Sequence, residues 1–154
     1  MEDKVTLEES PERTVAVLGI SPFAADHANL LSIFSHSKWK LHASRTCAEG
    51  ITFLRQNRTP VVICERDLPD GSWKDIMEET SRAANPPAVI VSSRLADDHL
   101  WNEVLNSGGF NVLAKPFDQS EVFRDVSQAW LAWKHRAALL RQPPERPKVA
   151  GGAG

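Results

Sequence analysis

Glu65 closes the run Pro60-Val-Val-Ile-Cys-Glu65, four residues before Pro69 and five before Asp70-Gly71. An apolar run that stops on a carboxylate and enters a Pro/Gly turn reads as a buried strand carrying an acid to its C-terminal mouth. That mouth is where an open α/β sheet places its chemistry. A carboxylate held there can bind a cation, pair with an ammonium group or attack an electrophile. Two other segments end in reactive or polar groups: Ala88-Val-Ile-Val-Ser92 in a hydroxyl, and Asn111-Val-Leu-Ala-Lys115 in an amine that precedes Pro116-Phe117.

The elements that must position these groups alternate along the chain. Thr14–Leu18 is a short continuous apolar run, the pattern of a strand covered on both faces. Ser21-Pro22 opens a helix in which Phe23, His27, Leu30, Leu31 and Phe34 recur at helical spacing. Residues 39–43 form a second strand, and Thr46-x-x-Glu49 is a capping box that starts a helix through about Gln56. Strand three is Val61–Glu65. The helix opened by Ser72-x-x-Asp75 must stop before Pro86-Pro87. Ala88–Ser92 is strand four, and the helix that follows runs from near Ala96 to Asn106 and ends at Gly108-Gly109. Asn111–Ala114 is strand five. Asp118-x-x-Glu121 caps a last helix with an apolar stripe of Val122, Phe123, Val126, Trp130 and Trp133 that continues to Arg141. Five strand/helix units with short links imply a flavodoxin-like, doubly wound, five-stranded parallel sheet in three α/β/α layers. Gly19, Ile20, Glu65, Ser92 and Lys115 then share its C-terminal edge. Residues 1–12 read as a flexible leader, 13–141 as one domain and 142–154 as a flexible Pro/Gly-rich tail.

In order and spacing, Glu65 to Gly71, Ser92 and Lys115-Pro116-Phe117 resemble the phosphoacceptor, hydroxyl and lysine segments of CheY-like receiver domains of bacterial two-component response regulators. The resemblance covers residues 13–135 and implies a signalling module rather than an enzyme, with a Lys-Pro bond that is usually cis. It also exposes departures. The family's acceptor Asp is Glu65 here, which moves the carboxylate outward by one methylene, about 1.5 Å. The family's acidic pair after strand one falls on Gly19 and Ile20, leaving Glu65 as the only carboxylate in the pocket, so Mg²⁺ binding is expected to be weak or absent. The aromatic switch position is Val112, which cannot swing between buried and exposed rotamers. Asp67 and Asp70 read as turn-forming residues rather than substitute acceptors. Two arrangements stay open for Glu65. In one it pairs with Lys115, accepts a hydrogen bond from Ser92 and mimics the phosphorylated state; in the other it is solvated while Lys115 anchors the neighbouring loops.

The resulting expectation is a stand-alone pseudo-receiver that works as a phosphorylation-independent protein-interaction module. The alternatives are a phosphorylatable receiver with non-standard acceptor chemistry and, from a different class, a small flavodoxin-like enzyme or FMN carrier. Against the flavin reading, the loop Gly19-Ile-Ser-Pro-Phe23 lacks a phosphate cradle. Partners would be signalling proteins, such as a histidine kinase or an output protein. Core and helix-surface packing accounts for most of the tryptophans taken singly, but Trp101, Trp130 and Trp133 are the preferred candidates for a partner or homodimer surface on helix four, strand five and helix five. A net charge of −2 over 154 residues gives no case for nucleic acid. No apolar run approaches the ~20 residues a membrane span needs, which leaves a cytoplasmic setting. Neither Cys47 nor Cys64 has metal-site or redox spacing, and both are expected as reduced thiols.

Overall fold

The computed structural model describes residues 15–141, so the leader and tail assigned to 1–12 and 142–154 lie outside the described residues. The sheet strands are β1 (Ala16–Ile20), β2 (Lys40–Ser44), β3 (Val61–Glu65), β4 (Ala88–Ser93) and β5 (Asn111–Ala114). The helices are α1 (Ala24–Phe34), α2 (Cys47–Gln56), α3 (Trp73–Thr80), α4 (Asp98–Asn106) and α5 (Gln119–Arg141). All neighbouring pairs in the five-stranded sheet are parallel, in the order β2-β1-β3-β4-β5. A small antiparallel ladder joins Asp67–Leu68 to Gly71–Ser72 in the turn after β3.

Strand alternation divides the core into two layers. Val17, Val61, Ile63, Ile90 and Leu113 pack with Leu30, Ile33 and Phe34 of α1 and with Val122, Val126 and Ala129 of α5. The intervening residues Leu18, Ile20, Val62, Cys64, Val89 and Val91 pack with Trp73 and Ile76 of α3 and Leu100 and Val104 of α4. Because successive side chains in a strand point to opposite faces, the same parity carries Gly19, Glu65, Ser92 and Lys115 onto the α1/α5 face. Ile20 falls on the other face and is fully buried.

Local chemistry sets the helix starts. Thr46 caps α2 by accepting from the Glu49 N–H at 3.1 Å, but Glu49 reaches back to the N–H of Arg45 at 2.8 Å rather than to Thr46 itself. Ser72 and Asp75 form the reciprocal box that opens α3. α1 begins at Ala24, later than Ser21-Pro22 suggests, because the Ser21 hydroxyl folds into the preceding turn and accepts from Phe23 N–H at 3.1 Å. Its inward stripe is Asp26, Leu30, Ile33 and Phe34, while Phe23 and Leu31 are exposed. α5 has 23 residues, about 35 Å at 1.5 Å per residue. The Lys115-Pro116 peptide is cis.

Candidate functional site

Parity and strand order bring Glu65, Ser92 and Lys115 together at the C-terminal edge. Lys115 Nζ lies 2.7 Å from Glu65 Oε1, and the Ser92 hydroxyl donates to the same oxygen at 3.2 Å. Glu65 is 7% exposed as a residue and its side chain 9%, so the carboxylate is not solvated.

The pocket holds a second carboxylate, which corrects the expectation that Glu65 stands alone. Asp26, in the first turn of α1, accepts from Lys115 Nζ at 2.9 Å and from the Ser21 hydroxyl at 2.6 Å through Oδ2. The ammonium group therefore bridges two acids, and the Phe23 ring lies 4.7 Å away on its outer side. Burial pulls the Lys115 pKa down. The hydrogen bonds and charges of Glu65 and Asp26 outweigh it and hold the amine above the ordinary lysine value.

The other assigned positions divide. A side chain at Gly19 would meet Leu41, Leu30 and His27 rather than Glu65. Ile20 points into the opposite layer, against Gly50. Neither position presents a donor to the pocket. Val112 is partly buried against the α3/α4 layer. Asp67 is exposed, 3.8 Å from Arg66. Asp70 does more than form a turn: its two oxygens accept from Cys47 N–H at 2.7 Å and Ala48 N–H at 2.9 Å, so it crosses to cap α2. Those backbone donors, Ala48 first, hold its carboxyl below the usual range. Burial pushes both thiols up, Cys47 and, much further, Cys64, which keeps them protonated.

The tryptophans are not one surface. Trp101 is 46% exposed, and its indole N–H donates to Asn111 Oδ1 at 3.2 Å. Asn111 in turn donates to the buried Asp125 at 3.1 Å, tying α4, β5 and α5 together. Trp130 is partly buried against the α1/α5 layer, with Lys134 4.7 Å from its ring. Trp133 is 1% exposed and belongs to the interior, which removes it from any partner surface. Its indole donates to the Asn85 carbonyl at 3.3 Å and Arg58 stacks 5.1 Å from its ring, at the far end of the sheet.

A hard dication takes oxygen ligands in near-octahedral array, whereas Asp26 Oδ2 and Glu65 Oε1 are both bonded to an ammonium group. Among the described residues no group of three or more His, Cys, Asp or Glu side chains could hold a metal. The space between Gly19, Ser21, Asp26 and His27 is closed to a water-sized sphere. A separate open cleft of about 400 Å³ lies over Glu65 and Lys115, between Phe23, Arg66 and Arg94.

Many solved structures share this architecture. The signal receiver domain of the putative LuxO repressor protein from Vibrio parahaemolyticus superposes with a TM-score of 0.76 at 17% identity, over 84% of this chain and 99% of that one. The chain has the fold of a response-regulator receiver domain. The receiver fold extends to the chemotaxis response regulator CheY4 of Vibrio cholerae, with a TM-score of 0.69 at 11% identity over 75% of this chain and 98% of that one. It includes the beryllofluoride-activated NtrC4 receiver domain, solved as a dimer, with a TM-score of 0.71 at 17% identity over 77% and 98%. No family model and no curated protein matches the sequence. Among the described residues of this receiver fold, no helix is long and apolar enough to cross a membrane.

Proposed function

We propose that this chain is a signalling module of the receiver class that works through protein contacts and without phosphotransfer. One observation carries the reading: Glu65 Oε1 is already bonded to both Lys115 and Ser92. A nucleophile must be free to approach its electrophile in line, and Glu65 is held back by a buried cation and a hydroxyl. The same contacts let Glu65 supply negative charge to the lysine and hydroxyl that a phosphoryl group would otherwise engage, which favours one fixed state of the edge. Partner binding through the α4–β5–α5 face, with Trp101 as its exposed aromatic anchor, completes the proposal.

Intact mass and a thermal melt in Mg²⁺ with acetyl phosphate, and separately with beryllofluoride, test it beside Glu65→Asp. The expected result for the native chain is no gain of a phosphoryl mass and no shift in melting. A phosphoryl adduct on the native chain overturns the reading. If that adduct survives Glu65→Gln, its acceptor is Asp67 or Asp70.

A further inference from the structure

The cleft over Glu65 and Lys115 has a satisfied floor and unsatisfied walls. Phe23, the residue that opens α1, and Leu95, in the turn between β4 and α4, line it while 51% and 61% exposed. Serine turns fix both. The Ser21 hydroxyl accepts from Phe23 N–H at 3.1 Å and donates to Asp26 at 2.6 Å, so the Phe23 backbone is tied to an acid that holds Lys115. The Ser93 hydroxyl accepts from Leu95 N–H at 3.1 Å and shapes the turn that carries Arg94 and Leu95 off the end of β4. Walls held in place before contact cost little ordering when something binds them.

The charges lining the cleft pair off with one cation to spare. Glu65 is met by Lys115 at 2.7 Å, and Asp67 has Arg66 at 3.8 Å. Arg94 is left over. It makes no ion pair among the described residues, and Asp97, three residues on, turns back to cap α4 by accepting from Leu100 N–H at 2.9 Å.

We infer that this cleft is a contact site for a partner protein, entered by a segment that sets one large apolar side chain beside a carboxylate. The apolar side chain lies between Phe23 and Leu95, and the carboxylate takes the planar guanidinium of Arg94 through two parallel hydrogen bonds. A basic segment in the same place would meet Arg66 and Arg94 on the walls. Because Glu65 and Lys115 satisfy each other, the occupant binds above them without displacing either. The form of the cleft selects a protein over a small molecule. It is open to solvent, and a small ligand needs most of its surface enclosed, whereas a protein segment is backed by the rest of its own chain. The site is separate from the α4–β5–α5 face and does not depend on whether Glu65 can accept a phosphoryl group.

The test selects a phage-displayed random peptide library on the full native chain and measures the recovered peptides by fluorescence anisotropy. Recovered sequences are expected to place Phe, Trp or Leu next to Asp or Glu. Their binding should weaken with added salt, fall about tenfold on Arg94→Glu, and fall severalfold on Phe23→Ala. Thermal melts establish that each variant is folded, and Leu95→Ser replaces Phe23→Ala if that variant is not. Phenylacetate, which carries the same two groups without a chain, is expected to compete only at far higher concentration than the peptides. Recovery of no binding peptide, recovery of basic peptides, or binding that ignores the Arg94 and wall substitutions overturns the proposal. Competition by phenylacetate as strong as that of the peptides also overturns it, because the cleft would then be a small-molecule site.

Discussion

At the C-terminal edge of the sheet, Lys115, Glu65 and Asp26 are enclosed with side-chain exposures of 7, 9 and 12%, and each partner of the lysine is a carboxylate from a different element. At the N-terminal edge, Arg58, Arg82 and Arg141 line open hollows, and the aromatic anchor beneath them, Trp133, is buried. One end encloses its charges, and the other carries its arginines on the walls of open hollows. A buried, mutually partnered cluster is screened little by salt and holds one geometry, whereas exposed charges are screened within about 10 Å at ordinary ionic strength. The edge that holds Glu65 is thus fixed in this chain, and the opposite edge keeps its arginines on open walls.

Removing Lys115 breaks this contrast most sharply. Lys115→Met leaves two carboxylates facing each other without their cation, and a stability loss of about 3–5 kcal/mol is expected in chemical denaturation at pH 7. The alkaline limb separates the proteins. The Lys115 pKa is raised in the fold, so its contribution is fully present below the unfolded value of about 10.4 and is lost as pH rises through the folded value. The native chain should show that fall and the variant should not. A loss under about 1 kcal/mol, the range of exposed pairs, would show that the cluster is not sealed.

The two ends also sort the tryptophans. Trp133→Phe removes an indole that donates to Asn85 and supports Arg58, and about 1–3 kcal/mol of stability should go with it. Trp101→Phe, at a half-exposed position on α4, should stay within about 0.5 kcal/mol while weakening partner capture. Equal losses at the two positions would return Trp133 to the surface.

Much of this was legible in the residues. The apolar runs of β1, β3 and β4 are uninterrupted because both faces are covered, and their parity alone puts Glu65, Ser92 and Lys115 on one face. Asp26 is not legible in a helical stripe read from apolar side chains alone. Extending the stripe of Leu30 and Phe34 back one turn lands on Asp26, an acid whose partners are the Ser21 hydroxyl and Lys115, 89 residues later. Trp133 belongs to the same stripe as Val122 and Val126, but its cover comes from Asn85 and Arg58, which helical spacing cannot reveal. Asp70 misled for the same reason, since its turn residues are local and its cap partners lie 22 and 23 residues upstream.

Asp70 supplies the smallest and most discriminating effect, because it is a carboxylate at the sealed edge that is itself exposed. Asp70→Ala should lower the melting midpoint at pH 7 only modestly, since Thr46 still caps the Glu49 N–H of α2. The pH dependence distinguishes a cap from packing. The carboxyl is held below its usual range by the Cys47 and Ala48 amides, so its contribution is present above the unfolded value of about 3.9 and disappears as pH falls through the lower folded value. Melts of the two proteins should therefore converge in acid and separate toward neutrality, with the gap narrowing in high salt as it does for exposed charges. Lys115→Met behaves differently: its deficit ignores salt and closes only as pH rises through the folded Lys115 value. A pH-independent gap for Asp70→Ala would mean that Gly71 and Cys47, not the carboxylate, hold the start of α2 in place.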